Sequence, residues 1–228
     1  MTVSRARAWH LLTASVCAAS LCLQFCLAAA NKNTEPSPYA LGKRMANFFS
    51  FFTIQSNLLV LAVAVSLVLL ADRDGPFWRI ARLDALICIS VTCLVDITVL
   101  RPHHHLTGWS NVADLGVHVV TPILAVLGWL LFGPRPRFRW GTLAWSLVFP
   151  LAWLAYTLIR GAIVKWYPYP FIDVISHGHA RVALDCLLVA VLFVAFAAVF
   201  VGLDRRLPTA PVQSEESRVL PHRVHDHR

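Results

Sequence analysis

The sequence predicts an all-α, polytopic membrane protein, a bundle of six transmembrane helices with both termini cytoplasmic. Three observations lead there. First, 57% of the 228 residues are hydrophobic and only 14% are charged, against roughly 25% charged in a soluble domain. Second, six apolar runs stand out, each close to the ~20 residues that cross ~30 Å of hydrocarbon as a helix. Third, none of these runs alternates polar with apolar residues, as the shorter strands of a membrane barrel would.

The first run, 9–30, follows Arg5 and Arg7 and ends in three alanines. A secretory leader has the same outline, but the length of the run and the five that follow favour a retained helix. The second run is 48–71 and the third 83–100. The fourth, 111–132, carries His118 about a third of the way in. The fifth, 141–159, contains Pro150, which membrane helices tolerate where neighbours satisfy the freed carbonyl. The sixth is 182–201. Residues 1–203 thus form one transmembrane domain, and 204–228, with Pro208, Pro211 and a run of polar residues, read as a disordered cytoplasmic tail.

The net charge of +8 is spread over short loops and the tail, so it reads as membrane topology and not as a nucleic-acid footprint. Thirteen arginines fall at the N-terminus, in the second and fourth loops and in the tail, against seven basic residues in the other three loops. The positive-inside rule then places both termini in the cytoplasm of a cell-membrane protein. Trp9, Trp78 and Trp140 mark the inner border; Tyr39, Trp109, Trp166, Tyr167 and Tyr169 mark the outer one. The six cysteines all lie in apolar runs without CxxC or CxxH spacing, as packing residues do. His103, His104 and His105, like His222, His225 and His227, lack a carboxylate or cysteine partner at fixed spacing and read as solvated loop, not as a metal site. No cofactor motif is present, and membrane lipids are the expected surroundings.

Topology assigns each polar residue a depth. Thr53 lies ~9 Å and His118 ~10 Å below the outer ends of their helices, at 1.5 Å per residue. Asp96, Tyr156, Arg160 and Asp185 sit near the outer ends of the third, fifth and sixth helices. Five helices therefore bring polar groups to one level. Ionisable groups at such depth are costly unless they face the bundle and pair, which argues for a shared polar cavity. The plainer alternative is that Thr53, Gln55, Ser56 and Asn57 join helices by hydrogen bonds. Arg82 and Asp84, towards the inner end, read as interfacial charges.

A hydroxyl and an imidazole at matched depth can form a nucleophile and general-base pair, Thr53 with His118. A carboxylate on the second ring nitrogen would fix the tautomer; Asp114, one helical turn before His118, is the nearest candidate, with Asp96 and Asp185 as alternatives. Gln55 and Asn57 are candidate oxyanion donors. A lipid-like ester entering from the outer leaflet would arrive at this level.

The segments Phe51-Phe52-Thr53-Ile54, His118-Val119-Val120-Thr121-Pro122-Ile123 and Trp166-Tyr167-Pro168-Tyr169-Pro170-Phe171-Ile172-Asp173 together resemble the androgen-induced and androgen-dependent integral-membrane hydrolases and their bacterial relatives. The resemblance spans residues 48–201. It implies a threonine hydrolase of fatty acid esters of hydroxy fatty acids, with Thr53 and His118 as the catalytic pair. Ser50, one turn before Thr53, is an alternative nucleophile. An asparagine-histidine pair that precedes the histidine in the animal proteins is replaced here by Ala113-Asp114. The loop 166–173 reads either as an interfacial belt with a proline-stiffened turn or as a lid, with Asp173 as a polar contact. A different class of function, a membrane protein that binds or transports a small ligand without catalysis or that serves as a structural or regulatory partner, shares the same polar cavity.

Overall fold

The computed structural model describes residues 3–34, 36–103 and 105–210, and among these the secondary structure is helical apart from one isolated bridge between Arg135 and Ala210. Six helical stretches are long and apolar enough to cross a membrane: Val3–Ala30, Phe52–Leu69, Pro76–His103, Gly108–Phe132, Trp140–Val164 and Val174–Arg206.

The first stretch is one helix, α1 (Val3–Ala30). The second run is not one helix. It divides into α2 (Leu41–Ser50) and α3 (Phe52–Leu69) around an extended Phe51 at φ −66°, ψ 130°. The third stretch is α4 (Pro76–Val95), continued by a π turn at Asp96–Leu100 and a 3-10 turn at Arg101–His103. The fourth is α5 (Gly108–Leu115), a second π turn at Gly116–Val120, and α6 (Thr121–Phe132). The fifth breaks into α7 (Trp140–Ser146) and α8 (Val148–Val164). Pro150 has no N–H to offer the carbonyl of Ser146, four residues back, and α7 ends at that residue. The last is α9 (Val174–Arg206), kinked at Gly178, whose φ of 75° only glycine adopts freely.

The core forms around α4, which packs against α3, α6, α7 and α9. Leu83, Ile87, Cys88 and Ile89 on α4 are fully buried, and the large side chains Phe52, Trp129, Phe193 and Phe200 close over it. Helix α1 lies along α3 and α6. By contrast α8 is peripheral: Leu151, Ile159 and Ile163 face outward, as lipid-contacting side chains do.

Contacts with the bundle continue past residue 203. Asp204 is fully buried, and its Oδ2 accepts the amide protons of Arg137 (2.6 Å) and Phe138 (2.7 Å). Arg135 and Ala210 exchange backbone hydrogen bonds at 2.9 and 3.1 Å. These contacts tie 204–210 to the bundle. The rest of the predicted tail, with His222, His225 and His227, lies outside the described residues, as does His104. Arg82 and Asp84, read from the sequence as interfacial charges, are also buried, at 2% and 5% exposure.

Candidate active site

The break at Phe51 creates the site. Three of the carbonyls at the end of α2 have partners: Trp153 Nε1 donates to Ser50 O (3.0 Å), Gln55 Nε2 to Phe49 O (2.9 Å) and the Phe51 amide to Phe48 O (3.3 Å). Phe51 itself is held edge-on by Trp166 and Tyr169, with ring centroids 5.7 Å away in both cases. A new helix therefore starts at Phe52 and puts Thr53 in its first turn, where backbone N–H groups are unused by the helix and the helix dipole is positive.

Thr53 Oγ1 lies 3.0 Å from His118 Nε2. On the other side of the ring, His118 Nδ1 is 2.8 Å from Asp114 Oδ1 and 3.9 Å from Asp96 Oδ1. Arg101 spans both carboxylates, at 2.8 Å to Asp96 Oδ2 and 2.7 Å to Asp114 Oδ2. The two π turns explain how these groups meet. Each inserts a residue into its helix, which re-aims the side chains on either side of the insertion; one starts at Asp96 and the other contains His118. Gly116, in the second π turn, lets Ser20 of α1 approach where any Cβ would collide with it.

A third group completes the cluster. Tyr169, buried at 8% exposure, places its hydroxyl 3.1 Å from Thr53 Oγ1 and accepts the Thr53 amide proton at 3.1 Å. The proton inventory then has one consistent direction. Nδ1–H of the imidazole donates to the main-chain carbonyl of Asp114 at 3.2 Å, with the Asp114 carboxylate Oδ1 2.8 Å away, Nε2 accepts the Thr53 hydroxyl proton, and the Tyr169 proton points to Thr53 Oγ1. With Asp96 and Asp114 ionised and Arg101 cationic, the cluster carries one net negative charge. The ligand atoms of Asp96, Asp114 and His118 also lie within 4.8 Å of one another, a spacing able to hold a metal ion. Arg101 already occupies one oxygen of each carboxylate.

Thr53 also forms part of the wall of a cavity of about 140 Å³ between α3, α4, α8 and α9. Its lining is apolar, with Phe52, Leu147, Trp153, Ile172 and Phe193 prominent, and Thr53, Thr92 and Tyr169 add its hydroxyls. An apolar hole of ~150 Å³ takes a benzene-sized molecule. The cavity reaches the side of the bundle between α8 and α9, where its lining residues Leu151 and Val194 are 58% and 46% exposed. Thr53 stands between this apolar space and the charged cluster.

Of the residues singled out from the sequence, Thr53, His118, Asp114 and Asp96 come together. The others have different partners. Ser50 Oγ donates to Ala46 O (2.7 Å) and meets Tyr156 OH at 3.0 Å, and no imidazole is within its reach among the described residues. Arg160 donates to Asn47 Oδ1. Asp185 pairs with Arg181 at 3.0 Å, one turn away on its own helix. Gln55 donates to Phe49 O at the helix break, and Asn57 spends both amide protons on Thr53 O and Val117 O, which leaves it none for an oxyanion. Asp173 is not a cavity contact: it caps α9, accepting from the amides of Ile175 (2.9 Å) and Ser176 (3.3 Å). Partial burial of Asp173 acts against its ionisation, but the Ser176 hydroxyl and these amides outweigh it and hold the carboxyl below its ordinary range.

Sequence reasoning missed Tyr169 and Arg101. Tyr169 sits between two prolines in a loop rich in aromatics, the pattern of an interfacial belt, and Arg101 entered only as a loop charge. The five-residue separation of Asp96 and Arg101 is a π-turn spacing, but it is visible as such only once the turn is known. Set against protein-family models, curated proteins and solved structures, the chain matches none of them, and any functional reading stands on this geometry.

Proposed function

We propose that this chain is an integral membrane hydrolase of lipid-like, fatty acyl esters, with Thr53 as nucleophile and His118 as general base. The observation that carries the reading is the 3.0 Å contact between Thr53 Oγ1 and His118 Nε2, with Asp114 2.8 Å behind the ring. His118 takes the threonine proton as Oγ1 attacks the ester carbonyl. Asp114 holds the imidazole in the required tautomer and stabilises the imidazolium. The carbonyl oxygen gathers negative charge beside the Tyr169 hydroxyl and the N-terminus of α3. His118 then returns the proton to the departing alcohol, and a water activated by the same imidazole hydrolyses the acyl-threonine. The apolar cavity next to Thr53 suits the acyl chain. The three segments that resemble the androgen-induced hydrolases contain Thr53, His118 and Tyr169, and support the same reading.

In this proposal the six apolar stretches span the cell membrane, and the asymmetry of basic residues sets both termini in the cytoplasm. A second reading, a carrier that binds an apolar ligand without chemistry, draws on the cavity alone and leaves the Thr53, His118 and Asp114 chain without a role.

Labelling of the membrane-embedded protein by a fluorophosphonate separates the two. The native chain is expected to react, with reaction lost in Thr53→Ala, lowered at least ~10²-fold in His118→Ala, and retained in Ser50→Ala. Labelling that survives Thr53→Ala but is lost in Ser50→Ala would move the nucleophile. A native chain that never labels would favour the carrier.

A further inference from the structure

A second polar site lies at the opposite end of the same helices. Arg82 on α4 is 2% exposed, and its only protein hydrogen bond among the described residues runs from Nη2 to Arg73 O at 2.7 Å. Its Nε and Nη1 are sealed from solvent and have no protein acceptor. The Nε2 of His10 on α1, at 6% exposure, is in the same condition. Arg82 and His10 line one cavity of about 30 Å³, whose remaining wall is mostly apolar: Val60, Val63, Ala64 and Leu67 of α3, with Ala125 of α6. Thr13 also borders it, but its hydroxyl proton is committed to Trp9 O.

Two physical facts are in tension here. A guanidinium remains charged in any protein environment, and an isolated charge away from water is strongly unfavourable unless paired. No carboxylate is within ion-pair distance of Arg82 among the described residues. The charges that act on it from further away are Asp74 and Asp204, of opposite sign, and Arg79 and Arg137, of like sign. Neither carboxylate is close enough to pair with the guanidinium directly. The unused groups are N–H donors or a ring nitrogen that becomes one in the Nε2–H tautomer. They call for an occupant that only accepts hydrogen bonds and carries negative charge. The volume is about that of one or two water molecules, too small for a phosphate or a lipid head group.

We propose that Arg82 and His10 hold a single monoatomic halide, chloride under ordinary conditions, as a structural counter-ion between α1, α3, α4 and α6. The ion accepts from Arg82 Nε–H or Nη1–H and from the His10 imidazole, and it adds a polar tie between helix ends that Trp9 Nε1 also links, by donating to Leu124 O at 2.9 Å. The site is independent of Thr53 and of any hydrolase activity.

The test uses the full-length chain in detergent micelles, moved from sodium chloride to sodium gluconate at equal ionic strength. Chloride is expected to raise the thermal midpoint saturably, by about 2–4 °C. Bromide should replace chloride, while phosphate and gluconate give no rise. Arg82→Gln should lose this dependence, and Thr53→Ala should keep it. Because an Arg82 variant can fail to fold, crystals of the native chain grown in bromide give a second measurement, an anomalous peak within hydrogen-bond distance of Arg82 and His10. Equal midpoints in chloride and gluconate, an equal rise with phosphate, or bromide bound only elsewhere would each overturn the proposal.

Discussion

Tyr169→Phe removes one hydroxyl from the candidate site and leaves the ring stack with Phe171, at 5.4 Å between centroids, in place. If the phenol steadies the developing oxyanion, turnover of p-nitrophenyl acyl esters should drop about 10²–10³-fold with KM nearly unchanged, the pattern for loss of one such donor. Asp114→Asn is a sharper probe of the proton inventory. Its amide can donate to Nδ1 and favours the wrong tautomer, so fluorophosphonate labelling should slow by ~10³–10⁴-fold while the fold persists. Both experiments concern atoms that the sequence located unevenly. The depths of Thr53 and His118 followed from counting residues along apolar runs, because a helix rises by a fixed amount per residue. The hydroxyl of Tyr169 and the guanidinium of Arg101 did not follow, because loop and π-turn geometry sets their direction and neither has a local sequence signature.

At the level of elements, the site depends on irregularities and not on regular helix. Two π turns and one extended residue position Asp96, His118 and Thr53, the end of α5 adds Asp114 and a 3-10 turn adds Arg101, and the loop after α8 delivers Tyr169. That loop is held where Tyr167 lies against Gly161, at a spot where any Cβ would run into the ring. Gly161→Val should therefore push the loop away and withdraw Tyr169 from Thr53. The expected result is a fluorophosphonate rate close to that of Tyr169→Phe, with altered Trp166 fluorescence and helical content unchanged by circular dichroism. The apolar runs were legible because hydrophobic length is a one-dimensional property. The break at Phe51 was not, since Phe-Phe-Thr contains no glycine or proline, and the partners that stabilise it, Trp153 and Tyr169, are more than a hundred residues away.

Across the whole molecule, the bundle has two polar ends joined by an apolar middle, with α4 passing through both. The sequence located the end around His118, where five helices bring polar groups to one level. It took Arg82 and Asp84 for border charges, because counting along a helix gives depth but not which neighbours cover a side chain. The cavity wall makes a prediction at this scale. Ala190 lines the cavity on the exposed side of α9, so Ala190→Trp should narrow the passage between α8 and α9. Hydrolysis of long-chain p-nitrophenyl esters should fall several-fold more than that of the acetate, measured as kcat/KM across a chain-length series.

The passage between α8 and α9 opens sideways, through Leu151 and Val194, and not along the bundle axis. In the membrane setting proposed above, a molecule arriving by that route has first partitioned into the bilayer, so what it meets at Thr53 is a two-dimensional concentration. The rate should then follow the mole fraction of ester within the membrane: adding inert phospholipid at constant total ester should slow the reaction, and adding buffer should not.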